Sequence, residues 1–556
     1  MNATLSASPV PDTGRLAYKW KVLISVVFGI FMVILDTTVV NVAFRTLQQE
    51  LGVSLNDSQW IISVYVLALG ICTPLAGFLG DRFGIKRMFV GGLAIFVAGS
   101  FLCGIAPNLW LLVLARALQG AGGGVALPLG TALLFRTFPP HEQGTALGIF
   151  GIALVVAPAL GPILGGWLVD QGHWRWIFFI NVPVGVLGVF LGARWLRELP
   201  SARKPRLDGA GLVTSVVGFG AVLYAASISA DLGWSSPTVL LWFLFGAAVL
   251  SFYALTQLYT APDPLLNLRL FHKPVFLTAS LVGYVSVVAL FGAEFLMPLY
   301  LQALRGYTAL QTGFILLPLA IAAGITMPIA GRLYDRVGAR PLVTIGFIVL
   351  AVNTWQLSRL EANTPIAWIA FLLLLRGLAL GLTVQTTFVT ALSVVPIREI
   401  AGGSALTNST RQVAQALAVA VLATVLTSTL SPEIKAVSAQ LRESGVAAHS
   451  SATVALCDPS TYPTVPSATA AGASPSLASA AAQGVPPAGR ATAALGATLL
   501  RACQEQVAGF EKTYLLTFFA SLVALALGLT LPGWPGPYHG RRSADGHHGP
   551  PMAGGH

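Results

Sequence analysis

Charge is scarce in this chain: Asp, Glu, Lys and Arg make up 10% of its 556 residues, while 55% are hydrophobic and the mean hydropathy is +0.76. Soluble globular domains carry roughly 25% charged residues, so an ordinary soluble fold is excluded: its core could not bury this much apolar surface. A continuous basic stripe is also missing. The Lys and Arg residues behind the net charge of +11 are spread over short hydrophilic connectors, which excludes nucleic acid as the partner. The chain has no glycine-rich phosphate-binding loop with its Lys, and no soluble segment large enough to hold one, which argues against ATP as the energy source. The segment before the first apolar run is polar, and that run is too long for a cleavable signal peptide. The four cysteines form two unlike pairs. Cys72 and Cys103 fall inside apolar spans, whereas Cys457 and Cys503 share one long external connector and are the pair that could be oxidised, the alternative being two free thiols.

What the sequence does contain is about fourteen apolar stretches of some twenty residues, the length a helix needs to cross a bilayer. The fold class expected is an all-α polytopic membrane protein with 14 transmembrane helices. An even number of spans puts both termini on one side. About twenty Lys and Arg lie in connectors on that side against about four on the other, which makes it cytoplasmic and the location a cell (inner or plasma) membrane.

The chain also repeats itself. GFLGDRFGIKR at 77–87 returns as GRLYDRVGARP at 331–341, matching Gly77, Asp81, Arg82 and Gly84 to Gly331, Asp335, Arg336 and Gly338, and Arg116 in LLVLARALQG is echoed by Arg376 in FLLLLRGLAL. Two six-helix bundles follow, at 22–198 and 274–531, and the surplus in the repeat offset is the size of two additional spans at 207–260. Residues 1–21 form the cytoplasmic N-terminus and 532–556 a flexible tail, whose His547 and His548 read as a loose end; no metal site is expected. The second bundle is interrupted by a long external loop, 431–512. Its centre, rich in Ala, Ser and Pro, cannot build a core, while its flanks have helical periodicity and form either a docking surface for an external adaptor protein or a solvated stalk.

Polar residues inside spans are the candidate machinery. Asp36 sits mid-span, where an ionised carboxylate costs at least roughly 2.5 to 3.5 kcal/mol, so it is expected to face a water-filled cavity or bind a proton; the structural alternative ties it permanently to a polar neighbour such as Asn41. Glu294 is the other acid well inside a span, and either carries a second proton, faces a cationic substrate group or neutralises an internal arginine. Two buried carboxylates favour lipophilic cations as cargo. Arg116 cannot shed its proton and is placed to modulate Asp36, with Gln119 one turn on; Arg376 reads as structural. Asn41, Tyr65, Gln119, Glu294, Asn408, Arg411 and Gln412 are the candidates to line the substrate cavity, with Arg411 either an internal cation or snorkelling.

Two further strings have a mechanical reading. In the short 77–87 loop, Asp81 is suited to cap a neighbouring helix, while Arg82, Lys86 and Arg87 can reach carboxylates or lipid phosphate, giving a cytoplasmic latch with Gly77, Gly84, Asp335 and Arg336. GIALVVAPALGPILGG at 151–166 puts Gly161 and Gly165, and Pro162 and Gly166, one turn apart beside Gly151 and Pro158, which allows another helix to approach closely and bends the span.

Taken in order, LDTTVVNVAF, GFLGDRFGIKR, LARALQGAGGG, GIALVVAPALGPILGG, WRWIFFINVPVG and EFLMPLYLQALRGYTALQTGFILLP resemble the fourteen-span drug:proton antiporter family (EmrB/QacA type) of the major facilitator superfamily. The resemblance covers residues 20–430 and the last span. It implies proton-coupled multidrug efflux of lipophilic, often cationic compounds by alternating access, with no cofactor and no enzymatic step, Asp36 as proton site, Arg116 as its modulator and the Asp81 loop as gate. The same fold could instead export a specific lipid, siderophore, amino acid or antibiotic, and a non-transporting sensor or assembly partner is the remaining alternative. Ala414, where relatives often carry glycine, and the long external loop depart from the pattern.

Overall fold

The computed structural model describes residues 16–198, 208–259, 263–361, 363–429, 431 and 487–533. The described chain is helical and contains no strand. Fifteen helices matter here: α1 (Tyr18–Leu51), α2 (Trp60–Cys72), α3 (Leu75–Phe83), α4 (Ile85–Ile105), α5 (Leu109–Thr137), α6 (Gln143–Asp170), α7 (Asn181–Trp195), α8 (Gly209–Leu232), α9 (Pro237–Tyr259), α10 (Pro274–Leu299), α11 (Ala309–Val337), α12 (Ala339–Leu357), α13 (Ile366–Ser393), α14 (Ile400–Ser428) and α15 (Pro487–Gly528).

Twelve of these elements are long and apolar enough to cross a membrane. A thirteenth span is the pair α2 and α3, bent by 53° at the break, where Pro74 lacks the N–H that would continue the helical ladder. With α10, whose described apolar part is Pro274–Ala289, the set is consistent with fourteen spans. Apolar side chains on the outer surface, such as Leu114 at 67% exposed, are what a lipid-facing helix requires. Many serines and threonines inside spans satisfy their hydroxyls on their own helix, as Thr37 Oγ1 does by donating to Ile34 O at 2.7 Å and Thr38 Oγ1 to Leu35 O at 2.9 Å.

Helices α1–α7 form one bundle and α10–α15 the other, with the same packing in each: α4 on α5 and α2 on α5 in the first, α12 on α13 and α11 on α13 in the second. Between bundles the relation is reciprocal. The second span of the first half (α3) packs on the fifth of the second (α14), and the fifth of the first (α6) on the second of the second (α11). The additional pair is lopsided: α8 packs against α2 and α14, along one side of the seam, and α9 packs mainly on α8. Helix α15 has 42 residues, about 63 Å at 1.5 Å per residue, twice the hydrocarbon thickness, so its first half stands outside the membrane.

Contacts define a common face, here the terminal face. On it lie the start of α1 (Lys19 Nζ to Glu142 Oε2, 2.5 Å), the end of α3, the starts of α6 and α12 and the end of α15, where Arg340 Nε donates to Leu531 O at 2.7 Å. Residues 1–15, most of the expected external loop with Cys457, the tail beyond 533 and the Glu294 side chain lie outside the described residues. Cys72 and Cys103 are free and Cys503 is disulfide-bonded.

Candidate functional site

The Asp36 carboxylate has no solvent exposure and is caged by three donors from two other helices, α5 and α7. Arg116 Nη1 lies 2.5 Å from Oδ2, while Gln119 Nε2 and Asn181 Nδ2 each donate to Oδ1 at 2.8 Å. Arg116 and Gln119 are three residues apart on α5 and share a face, and Arg116 Nη1 also donates to Gln119 Oε1 at 2.7 Å. Arg116 Nε donates to Ile61 O at 3.1 Å, and its guanidinium lies 4.1 Å from the Tyr65 ring centre. The Tyr65 hydroxyl donates to Val33 O at 3.1 Å and Asn181 Nδ2 reaches Ser100 Oγ at 3.2 Å.

This corrects two expectations. Asp36 does not face a water-filled cavity in this conformation: a guanidinium and two amides replace water as its solvation, which is how a carboxylate persists in a dry bundle. Asn41 is exposed and takes no part, because five helical positions put it about 140° round α1 from Asp36. Tyr65 and Gln119, expected along the cavity, belong to the cage. Asn181 was not singled out by the sequence; the available signal was a lone amide inside the apolar WIFFINVPVG stretch.

The second half differs. Arg376 is equally buried, and among the described residues its donors reach Ala289 O at 2.5 Å, Thr354 Oγ1 at 3.3 Å and Asn353 Oδ1 at 3.4 Å, beside a further interaction of its own. Asn408 Nδ2 donates to Ser404 O at 2.9 Å, within its own helix, while Gln412 Nε2 crosses the seam to Thr73 Oγ1 at 3.0 Å. Arg411 is half-buried and lines a cleft.

At the terminal face the halves touch through two matched approaches. A Cβ on Gly77 would lie 2.8 Å from Gly402 Cα, and the backbone of Gly331 packs on Gly144. Asp335 accepts from Gly144 N and Thr145 N, both at 2.9 Å, and from Thr145 Oγ1 at 2.7 Å, a carboxylate at the N-terminus of α6 in the other half. Asp81, its repeat partner, instead pairs with Arg136 of α5 at 3.2 Å. The N-terminus of α4 is capped by Glu198, which accepts from Lys86 N and Arg87 N at 3.2 Å each. Gly84 turns there at φ 101°, and a Cβ on it would strike the Glu198 carboxylate. Arg82 and Arg336 are exposed. Replacing Asp335 by Asn is expected to release about 0.5 to 2 kcal/mol of cross-half contact. Spin labels at His141 and Arg336, both exposed, should then report a larger separated population.

Helix α6 presents glycine to two neighbours at once. Gly161 and Gly165 face α1, where they meet Thr38 and Val39, and Gly151 and Gly166 face α11 at Met327 and Leu310. The Cβ of Pro162 is 3.3 Å from the position a Cβ would take on Gly313. The helix therefore touches both the segment that carries Asp36 and the opposite half. Pro158 and Pro162 lie within it.

The fold consists of two matched bundles, and the sequence matches the family model of the Major Facilitator Superfamily over residues 26–419. The chain belongs to the major facilitator superfamily. It is 36% identical over 405 residues to the protein named uncharacterized MFS-type transporter YhcA of Bacillus subtilis (strain 168), covering 73% of this chain and 76% of that one. It is 34% identical over 387 residues to the multidrug export protein EmrB of Haemophilus influenzae, covering 69% of this chain and 76% of that one. Among solved structures, the proton:xylose symporter XylE superposes with a TM-score of 0.54 at 14% identity, over 72% of this chain and 87% of that one, which shows the shared fold. This superfamily member is a multi-pass membrane transporter and not an enzyme.

Proposed function

We propose that this transporter exports lipophilic compounds from the cell in exchange for protons, by alternating access, with the terminal face cytoplasmic. The observation that carries the reading is the Asp36 cage. A carboxylate with no exposure, held by Arg116, Gln119 and Asn181, is stable while charged and loses its main partner interaction when it takes up a proton. Protonation leaves Arg116 an uncompensated buried cation, so it favours a rearrangement of α1 against α5. A membrane potential of 100 mV supplies roughly 2.3 kcal/mol per charge moved, enough to drive cargo uphill when the two movements are coupled.

The export direction is supported by the relative named as a multidrug export protein and by the glycine-rich α6. Lipophilic cations were expected from two buried carboxylates; Asp36 is matched by Arg116, so in this conformation it adds no net negative charge to attract them. In this scheme Asp36 is the proton carrier with Arg116 setting its affinity, Glu294 is a second acid, and the Asp81 and Asp335 loops form the terminal-face gate. The test uses purified protein in proteoliposomes with an imposed pH gradient and a panel of lipophilic dyes. Accumulation that follows the gradient and collapses with a protonophore is the expected result; indifference to the gradient would remove proton coupling.

A further inference from the structure

Arg411 is the internal arginine that opens on space. Arg116 and Arg376 are 1% and 0% exposed, whereas Arg411 is half-buried and borders a cleft between α10, α13 and α14 that is open on one side. It lies about 16 Å along α14 from Ile400, near the middle of the membrane, where a permanent charge is costly unless it serves a polar occupant or cavity. The cleft borders the seam between halves. Its walls α13 and α14 both reach across to the first half, through Gln385 Nε2 to Leu147 O at 3.0 Å and Ser404 Oγ to Thr131 Oγ1 at 2.9 Å.

The lining has a definite chemistry. Among the described residues that form it none is acidic, and Val287, Val384 and Phe388 give an apolar wall. Thr387 and Thr407 spend their hydroxyl protons on their own helix, each at 2.9 Å, and the Tyr284 hydroxyl donates to Thr410 Oγ1 at 2.7 Å. Ser280 lines the cleft at 2% exposure, with its Oγ beside the Tyr284 hydroxyl. The donors the cleft offers are thus a guanidinium and a hydroxyl. Arg411 also interacts elsewhere in the chain, but a guanidinium carries five N–H groups and can hold a further acceptor.

We infer that this cleft is a substrate subsite for lipophilic compounds with an anionic head, the head on Arg411 and Ser280 and the apolar body against Val287, Val384 and Phe388. This names a substrate class for the exporter proposed above and rests on that reading for its role in transport, though binding can be measured without transport. A second charge-selective feature follows: a cation placed here would meet Arg411 at close range in a medium of low dielectric.

The test compares two probes with one ring system, anilinonaphthalene sulfonate, which is anionic, and phenylnaphthylamine, which is neutral, by saturable fluorescence binding to the full chain in nanodiscs, with empty nanodiscs subtracted. Arg411→Gln is expected to weaken the sulfonate by about tenfold or more, the scale of a hydrogen bond to a charged group, with the neutral probe within about threefold. Ser280→Ala should weaken the sulfonate about threefold, and Arg411→Lys should retain part of the affinity; these two carry the test should Arg411→Gln fail to fold. Absence of saturable sulfonate binding to the parent, or equal losses for both probes, would overturn the proposal. A parent that binds the sulfonate but ignores a pH gradient in proteoliposomes would sink the exporter reading alone.

Discussion

Asp36→Asn is expected to abolish gradient-driven transport, by at least about a hundredfold, while substrate exchange without a gradient survives. The amide keeps the shape of the carboxylate and can still hydrogen-bond, so the comparison isolates the loss of a group able to take up a proton. Arg116 loses its counter-charge, yet retains Gln119 Oε1 at 2.7 Å and Ile61 O at 3.1 Å as acceptors, which keeps it from being left bare. Removal of one partner of a buried pair still costs roughly 3 to 5 kcal/mol, so a lower unfolding temperature should accompany the loss of coupling. Counterflow of labelled dye between equal concentrations on both sides is the control: a protein that still exchanges is folded and still alternates. Uphill transport unchanged in Asp36→Asn would make the carboxylate a structural anchor for Arg116 and place the proton elsewhere. Asp36→Glu should fall between, since it restores the proton but adds a methylene to a fully occupied cage.

The spans and the acidic centre were legible in the sequence because lipid makes charge conspicuous: Asp36 and Arg116 stand out in runs that hold little else polar. The paired loops were legible because the repeat prints the same residues twice. What could not be read was which partner each takes. Asp81 and Asp335 occupy matching positions, but FRTFPP at the end of α5 supplies Arg136, whereas the corresponding LSVVPI at the end of α13 carries no cation. Asp81 is therefore drawn into its own half and Asp335 is left to cap α6 across the seam. The same limit explains Asn181. An amide advertises no charge, and only the folding of α7 against α1 and α4 brings it to the carboxylate and Ser100. Asn41 failed for the opposite reason, being near Asp36 in sequence and on another side of the helix. The cleft at Arg411 joins three helices distant in sequence, so its lining could not be assembled from periodicity.

Gly161→Val is the other substitution with a large expected effect, and it separates packing from proton chemistry. A Cβ at this position would run into Thr38, with the Thr38 Cβ at 2.5 Å and its backbone carbonyl carbon at 3.2 Å. Thr38 cannot yield by swinging a flexible tip, because it is β-branched and its hydroxyl is fixed to Leu35 O at 2.9 Å. The added methyls must push α1 away from α6, at the roughly 1 to 3 kcal/mol typical of overpacking. Thr38 is two residues from Asp36, so the displacement reaches the cage; Pro162, the next residue on α6, abuts Gly313 of the other half. One turn of α6 thus lies between the Asp36 segment and the seam. The expectation is loss of transport by about a hundredfold for Gly161→Val and a smaller, several-fold loss for Gly161→Ala, with expression and membrane insertion retained. Thr38→Gly should restore part of the activity to Gly161→Ala, since it removes the atoms in conflict. Full activity in Gly161→Val would show that α1 and α6 separate at no cost to turnover, and that their close approach belongs to stability alone.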